Sequence, residues 1–303
     1  MTNGPRIQRT LVFVAAHDRD RILAAADAGM DALCLDLEDS TPMRHKDTAR
    51  AIFRDVAKEL VERDIAVFVR TNGLDSGMLD DDLEAVVWPE LHCASLPKAE
   101  GASDVERYSA RLDTVEADHG LPPGHALVRP VIETAPGVRL AFEIASASPR
   151  VAYMGGVSGG EMGDLGASLG FEQTPHGRET FYLRSKVLVD VRAAGVPFPI
   201  GGYTTSRLDV DGVREFSIEN RQLGYNGVMC PNVAAVVQAV NEVFTPTAER
   251  IAHWLHILPA LEQAEREGAT ATVVDGRHLD LVGLVRIREQ LALARRVGAA
   301  GVL

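Results

Sequence analysis

No stretch of the 303 residues approaches the roughly 20 consecutive apolar residues that cross a bilayer. Basic residues occur near the N-terminus, but the apolar run there, Leu11 to Ala16, is short and broken by His17 and Asp18. It does not read as a secretory signal, and the expectation is a cytoplasmic protein. Cysteine is scarce. Cys34, Cys93 and Cys230 cannot all pair with one another, and each sits in a short apolar run without the spacing of a zinc site, which predicts small buried thiols. Positive charge is in deficit, with 31 Lys and Arg against 43 Asp and Glu and a formal net charge of -12. That excludes the basic face that nucleic acid or an anionic membrane requires, while leaving room for small anions held by a few local arginines and a metal. Internal repeats and low-complexity tracts are absent. The balance of 46% hydrophobic and 24% charged residues is that of a globular protein.

What is present is an alternation of short apolar or β-branched runs with longer amphipathic ones. The runs predict strands at residues 10–16, 32–37, 66–71, 93–97, 126–133, 151–156, 198–202 and 227–230. Helical patterns cover 19–28, 46–63, 102–117, 137–146, 180–194, 210–223 and 233–244, with stop signals such as Gly29, Gly195 and Pro197. Alternating β and α elements imply parallel strands with right-handed crossovers. Eight such units favour a closed (β/α)8 TIM barrel, an α/β fold of about 250 residues. An open doubly wound sheet with a phosphate site calls for a Gly-rich first turn, and the turn here reads Ala15-Ala16-His17-Asp18. The expected barrel domain spans residues 1–245. Residues 246–303 read as an extension: a helix at 247–267, an extended segment at 271–280 turning at Asp275-Gly276, and a helix at 281–297. So short a tail is expected to pack on the barrel or on a neighbouring subunit.

Barrel chemistry gathers where strands run out at their C-terminal ends. Asp36, Glu38 and Asp39 close the second predicted strand, and Arg70, Thr71 and Asn72 the third. Pro97-Lys98-Ala99-Glu100 closes the fourth and Glu133-Thr134 the fifth, while Glu161 and Asp164 follow the sixth. Polar loops alone account poorly for five consecutive charged strand ends. Glu133 and Asp164 form the best metal pair, since two carboxylates leave several positions for the water that Mg²⁺ retains, and the rim carries no His/Cys cluster for zinc. Either acid is equally read as a helix cap or an ion-pair partner, and Asp164 as part of the turn Gly159-Gly160-Glu161-Met162-Gly163. Arg70 leaves an apolar strand, so it either pairs with Asp36, Glu38 or Glu100 in a structural network or grips a substrate carboxylate or oxyanion. His17, at the end of the first strand, is either a base or a structural histidine.

Taken together these segments resemble the citrate lyase β-subunit-like proteins of the HpcH/HpaI aldolase superfamily. Asp36-Leu37-Glu38-Asp39 with Lys46 and Ala49-Arg50 is similar to their "DLED…K…AR" signature, and Val69-Arg70-Thr71-Asn72 to "VRxN". Leu96-Pro97-Lys98-Ala99-Glu100 resembles "LPKxE", and Ile132-Glu133-Thr134 resembles "IET". Asp164 through Gly170 resembles the segment that opens with the family's metal-binding aspartate. Gly224-Tyr225-Asn226-Gly227 through Pro231, with Asn241, Phe244 and Pro246, is similar to "GFxG…HP…N…FxP". Asp275-Gly276 with Asp280 resembles "DGxxxD".

The resemblance implies a barrel that binds Mg²⁺, or Mn²⁺ in its place, through Glu133 and Asp164 and presents it to a 2-oxo acid. It implies cleavage or formation of a carbon–carbon bond between that acid and an acyl unit, as in malyl-CoA, citramalyl-CoA or citryl thioesters. Arg70 would hold the acid's carboxylate or neutralise enolate charge, and Glu38 and Asp39 would order metal-bound water and Lys98. Substrate contacts would come from Arg70, Lys98, Asp36 and Arg9, and Asp280 would act as an acid/base across the interface of a trimer or hexamer. The chain departs from the family pattern in its first strand, where the run Arg9 to His17 lacks the usual Pro-Gly, and at Met229-Cys230-Pro231 in place of "IHP". The departures fall where the acyl carrier would lie. The alternatives are an aldolase for a free hydroxy-oxo acid, a thioesterase or malate synthase-like enzyme, and a non-catalytic barrel subunit of a complex.

Overall fold

The computed structural model describes residues 4–157, 160, 163–174, 177–202 and 208–299. The chain divides into two compact units, Met1–Glu242 and Val243–Leu303.

In the first unit β1 (Thr10–Ala15), α1 (Arg19–Ala26), β2 (Ala32–Asp36), α2 (Lys46–Glu62) and β3 (Ala66–Arg70) follow one another, α2 being entered through a 3-10 turn at Met43–His45. Next come α3 (Leu79–Val86), β4 (Leu91–Leu96), α4 (Ala102–Asp118), β5 (Leu127–Pro130), α5 (Ala135–Arg139) and α6 (Ala141–Ser146). The unit continues through α7 (Asp164–Leu169), α8 (Arg178–Ala193), β6 (Ile200–Gly201), α9 (Val210–Leu223), β7 (Gly227–Cys230) and α10 (Ala234–Phe244). Strand interiors are buried throughout: all five residues of β2, all five of β3 and all six of β4. That is the pattern of parallel strands covered on both faces. The helices show the complementary one-sided burial, as in α2, where Ala49, Phe53, Val56, Ala57 and Leu60 recur at helical spacing on the covered face.

The seven strands form one parallel sheet in the order β5-β4-β3-β2-β1-β7-β6. The order runs in sequence and passes from β1 directly to β7, whereas a doubly wound sheet reverses at its switch point. The sixth predicted strand, at 151–156, is corrected to a single bridge, Val151 to Val128. Further along the segment the backbone turns at Gly155, which has φ +132° and where a Cβ would lie 2.7 Å from the Tyr225 ring. The same segment still reaches β6, with Ile200 N–H donating to the Met154 carbonyl at 3.2 Å. Helix α3 has no counterpart among the predicted helical segments, and the predicted helix at 137–146 is divided between α5 and α6.

Register fixes what faces the sheet interior. Asp36 pairs with Arg70, Arg70 with Ser95 and Ser95 with Arg129. Partners in register on parallel strands share a face, so these four polar residues form one row across four strands.

The second unit contains α11 (Ala248–Arg266), an antiparallel hairpin of β8 (Ala271–Val274) and β9 (Arg277–Asp280), and α12 (Leu284–Arg296). The expectation of a tail without a core of its own is corrected. Ile251, Leu291 and Ala294 form one buried cluster, and Ile257, Leu261 and Leu284 another, packed against by Val274 and Leu279 of the hairpin.

Candidate active site at the strand ends

Asp36 ends β2 with no exposed surface. It accepts from Arg70 Nε at 2.8 Å and Arg70 Nη2 at 2.6 Å, and from the Glu38 and Ser40 backbone N–H groups at 3.0 and 3.1 Å. Burial opposes its charge, but these donors outweigh it and hold the carboxyl below the usual carboxylate range. With both carboxylate oxygens engaged and no accessible surface, Asp36 anchors Arg70. Arg70 is thereby fixed at one edge. Its Nη1 faces the acids of the rim: Glu38 Oε2 at 2.9 Å, Glu133 Oε1 at 3.6 Å and Asp39 Oδ2 at 3.7 Å. The Glu38 contact is an ion pair without hydrogen-bond alignment, since Glu38 Oε2 has no hydrogen-bond partner.

Lys98 draws the two expected metal ligands together. Its backbone N–H donates to Glu133 Oε2 at 3.3 Å, and its Nζ lies 3.5 Å from Asp164 Oδ1 and 3.4 Å from Glu38 Oε1. The residue has φ +50°, a left-handed conformation uncommon outside glycine. Gly137, in the first turn of α5, supports this loop from below: a Cβ there would stand 2.6 Å from the Ala99 carbonyl oxygen. Thr134 caps α5 by accepting from Gly137 N–H, and Ala135 N–H donates to Ser168 Oγ of α7. The strand end bearing Glu133 and the helix that begins at Asp164 are thus tied to each other.

Electrostatics follow from burial and crowding. Burial pushes the Glu133 carboxyl above its ordinary range despite Arg70, and the like charge of Asp164 adds to the effect. Burial does the same to Glu38, with Asp39 and Glu133 contributing. Lys98 is opposed by burial but held up by Glu38, Asp39 and Asp164. Hard-oxygen acids that crowd one another to this degree suit a divalent cation. Glu133 and Asp164 offer two protein ligands, as Mg²⁺ favours, and the described residues hold no group of three or more metal-ligating side chains.

Other expected residues fall elsewhere. Arg9 lies just before β1, at the opposite end of that strand from the rim, and forms a two-point pair with Asp31 through Nε at 2.9 Å and Nη2 at 2.6 Å. His17 stacks on His45, with ring centroids 4.7 Å apart and an interplanar angle of 5°. Asp280 ends β9 in the second unit, exposed and paired in register with Ala271. Glu161 lies outside the described residues. Glu100 is exposed, and its backbone N–H donates to the Asp104 side chain.

Two features are given no role by the sequence reading. Lys46 Nζ donates to the Leu37 and Glu38 carbonyls at 2.5 and 3.0 Å and to Asn72 Oδ1 at 2.6 Å, clamping two strand ends together. Asn72 in turn donates to buried Asp82 of α3, which also holds Arg50. Arg129 is buried within the apolar run of β5, the same signal that marks Arg70.

Comparison with known proteins places this geometry. The profile of the HpcH/HpaI aldolase/citrate lyase family matches residues 9–233. The chain is 31% identical over 290 residues to citrate lyase subunit beta of Escherichia coli, covering 96% of this chain and 93% of that one. It is 30% identical to the L-malyl-CoA/beta-methylmalyl-CoA lyase of Rhodobacter capsulatus, covering 91% and 90% of the two chains. Among solved structures, CitE from Mycobacterium tuberculosis in complex with magnesium, acetoacetate and coenzyme A superposes with a TM-score of 0.66 at 25% identity, covering 98% of this chain and 99% of that one. On this likeness the chain belongs to the HpcH/HpaI aldolase/citrate lyase family, whose members named above include lyases.

Proposed function

We propose that the protein is a carbon–carbon lyase that cleaves a β-hydroxyacyl-CoA such as malyl-CoA or citramalyl-CoA into a 2-oxo acid and an acyl-CoA. One observation carries the reading: Arg70, Glu133 and, through Lys98, Asp164 converge at a single rim. The magnesium, acetoacetate and coenzyme A of the mycobacterial structure and the malyl-CoA of the Rhodobacter enzyme's name support the substrate class. The catalytic unit, residues 1–245, is read as a closed (β/α)8 barrel. The two edges that Val151 and Met154 reach, on β5 and β6, support closure.

Glu133 and Asp164 would hold Mg²⁺, with Mn²⁺ as a substitute. Such an ion supplies the Lewis acidity that lowers the pKa of a substrate hydroxyl and steadies the developing alkoxide. The chain's own groups do the rest. Arg70, locked along one edge by Asp36, presents Nη1 to the substrate carboxylate or to enolate oxygen, and its charge is fixed before reaction. Lys98 neutralises the acids around it and orients Glu133 through its backbone N–H. Glu38, raised in proton affinity by burial, is suited to move a proton, with Asp39 beside it. Asp280, from a neighbouring subunit of a trimer or hexamer, serves as the second acid/base. The extension 246–303 of each subunit covers the active site of the next.

Retro-aldol assays on a free β-hydroxy acid and its CoA thioester, side by side with and without Mg²⁺, test this. The expected result is Mg²⁺-dependent release of a 2-oxo acid and acyl-CoA from the thioester. Activity on the free acid alone overturns the substrate class, and thiol release with no 2-oxo acid points to a hydrolase. The free-acid reading has one observation in its favour, the His17–His45 stack just beyond a first strand that lacks the family's Pro-Gly.

A further inference from the structure

The polar row across the sheet ends in a charge that the proposed chemistry does not use. Arg129 is 1% exposed. Its Nη2 meets Met229 Sδ at 3.0 Å, and its guanidinium lies 5.7 Å from the centroid of the Phe13 ring, to which Arg70 also turns, at 5.4 Å. Neither contact supplies negative charge. Nε and Nη1 are shut off from solvent and donate to nothing among the described residues. On the adjoining strand Ser95 Oγ is likewise buried without an aligned partner, although it lies against the Cys34 thiol. Gly156 leaves room for the guanidinium, since a Cβ there would stand 3.0 Å from Nη2.

Among the described residues no neighbour neutralises this cation. Burial pushes the Cys34 thiol up to about 12 and the Cys93 thiol well above its ordinary value, so both stay protonated. Glu133 acts on Arg129 from a distance, but its oxygens are turned to Arg70 and to the Lys98 N–H. Arginine does not shed its proton in a protein, and a lone charge in a low-dielectric interior is too costly to leave uncompensated. We propose that Arg129 is the floor of a buried anion site, which takes one compact monovalent anion of halide type on its unpaired N–H groups. Nε and Nη1 point to different flanks of the guanidinium plane, so a single atom cannot accept from both; the ion takes one flank and a water the other. The Ser95 hydroxyl, free to rotate, is a further donor on the β4 side. This site is independent of the reading of the rim as a lyase centre.

Crystals of the full chain grown in sodium bromide and measured at the bromine absorption edge decide the matter. The expected result is an anomalous peak at hydrogen-bond distance from Arg129, absent from Arg129→Met. At constant ionic strength, replacing gluconate by chloride should raise the melting temperature of the wild type by about 2–3 °C once chloride is tenfold above its dissociation constant. Arg129→Met should show no such rise. If that variant does not fold, the bromide peak and the chloride response of the wild type decide alone. Neutral water at the guanidinium, bromide at surface positions as an adventitious ion only, or a melting temperature indifferent to chloride would each overturn the proposal.

Discussion

Arg70 and Asp36 meet edge to edge, Nε on Oδ1 and Nη2 on Oδ2, across the neighbouring strands β3 and β2 at paired register positions. The pairing leaves the guanidinium a single direction in which to act, toward Glu38, Asp39 and Glu133. Replacing Asp36 by Ala should therefore strand a buried cation and release it from its orientation at the same time. The expected loss is about 3–5 kcal/mol in chemical unfolding. Arg70→Lys should keep much of the charge but lose the two-point geometry, so its turnover should fall more than its stability.

Glu133 gives a pH-dependent signature in metal-free protein. Its folded-state pKa is raised, so the folded state binds a proton more readily than the unfolded chain. The stability this contributes is present at low pH and declines as pH rises from the ordinary glutamate range through the raised value. In EDTA, Glu133→Gln should thus be more stable than wild type at neutral pH, with the gap closing as pH falls below the ordinary glutamate range. Adding Mg²⁺ should stabilise the wild type alone, and turnover of the variant should drop by about 10²–10³-fold. Melting curves across pH with and without Mg²⁺ read both effects; a variant that Mg²⁺ still stabilises would remove Glu133 from the metal site.

Gly137→Ala probes the support beneath Lys98. A methyl group 2.6 Å from the Ala99 carbonyl oxygen must push α5 away from the strand-four loop. The expected cost is about 1–3 kcal/mol of stability, with loss of turnover beyond what the melting curve explains, because Glu133 and Lys98 move apart. Unchanged kinetics in a destabilised variant would separate the loop from the site.

Asp280 is tested by mixing. Asp280→Asn and Glu133→Gln chains, each inactive alone, should regain partial activity when co-assembled if one subunit completes the site of another. Mixed oligomers confirmed by mass and still inactive would confine Asp280 to its own hairpin.

Much of the strand pattern was legible because parallel strands are continuous apolar runs and their charged ends interrupt those runs abruptly. Arg70, Lys98, Glu133 and Asp164 announced themselves in this way. The sixth segment has the composition of a strand, yet it pairs through a single bridge at Val151 and turns at Gly155. Sequence shows the charge of Asp36 and Arg9 but not its partner, which is Arg70 for the one and Asp31 for the other. Helix α3 went unmarked because its first turn, Asp80-Asp81-Asp82, reads as a solvated loop, although Asp82 is fully buried against Asn72 and Arg50. Arg129 gave the same signal as Arg70 without a rim position to attach it to.

The junction of β1 with β7 has a kinetic consequence. Leu11 pairs with Met229 and Val12 with Cys230, so β1, once made, waits for one of its two neighbours until nearly the whole first unit has followed it. Until then its hydrophobic flank is open to the wrong strand or to another chain. Nascent protein should accordingly depend on chaperone shielding late in synthesis, and refolding from denaturant should be slow and sensitive to concentration.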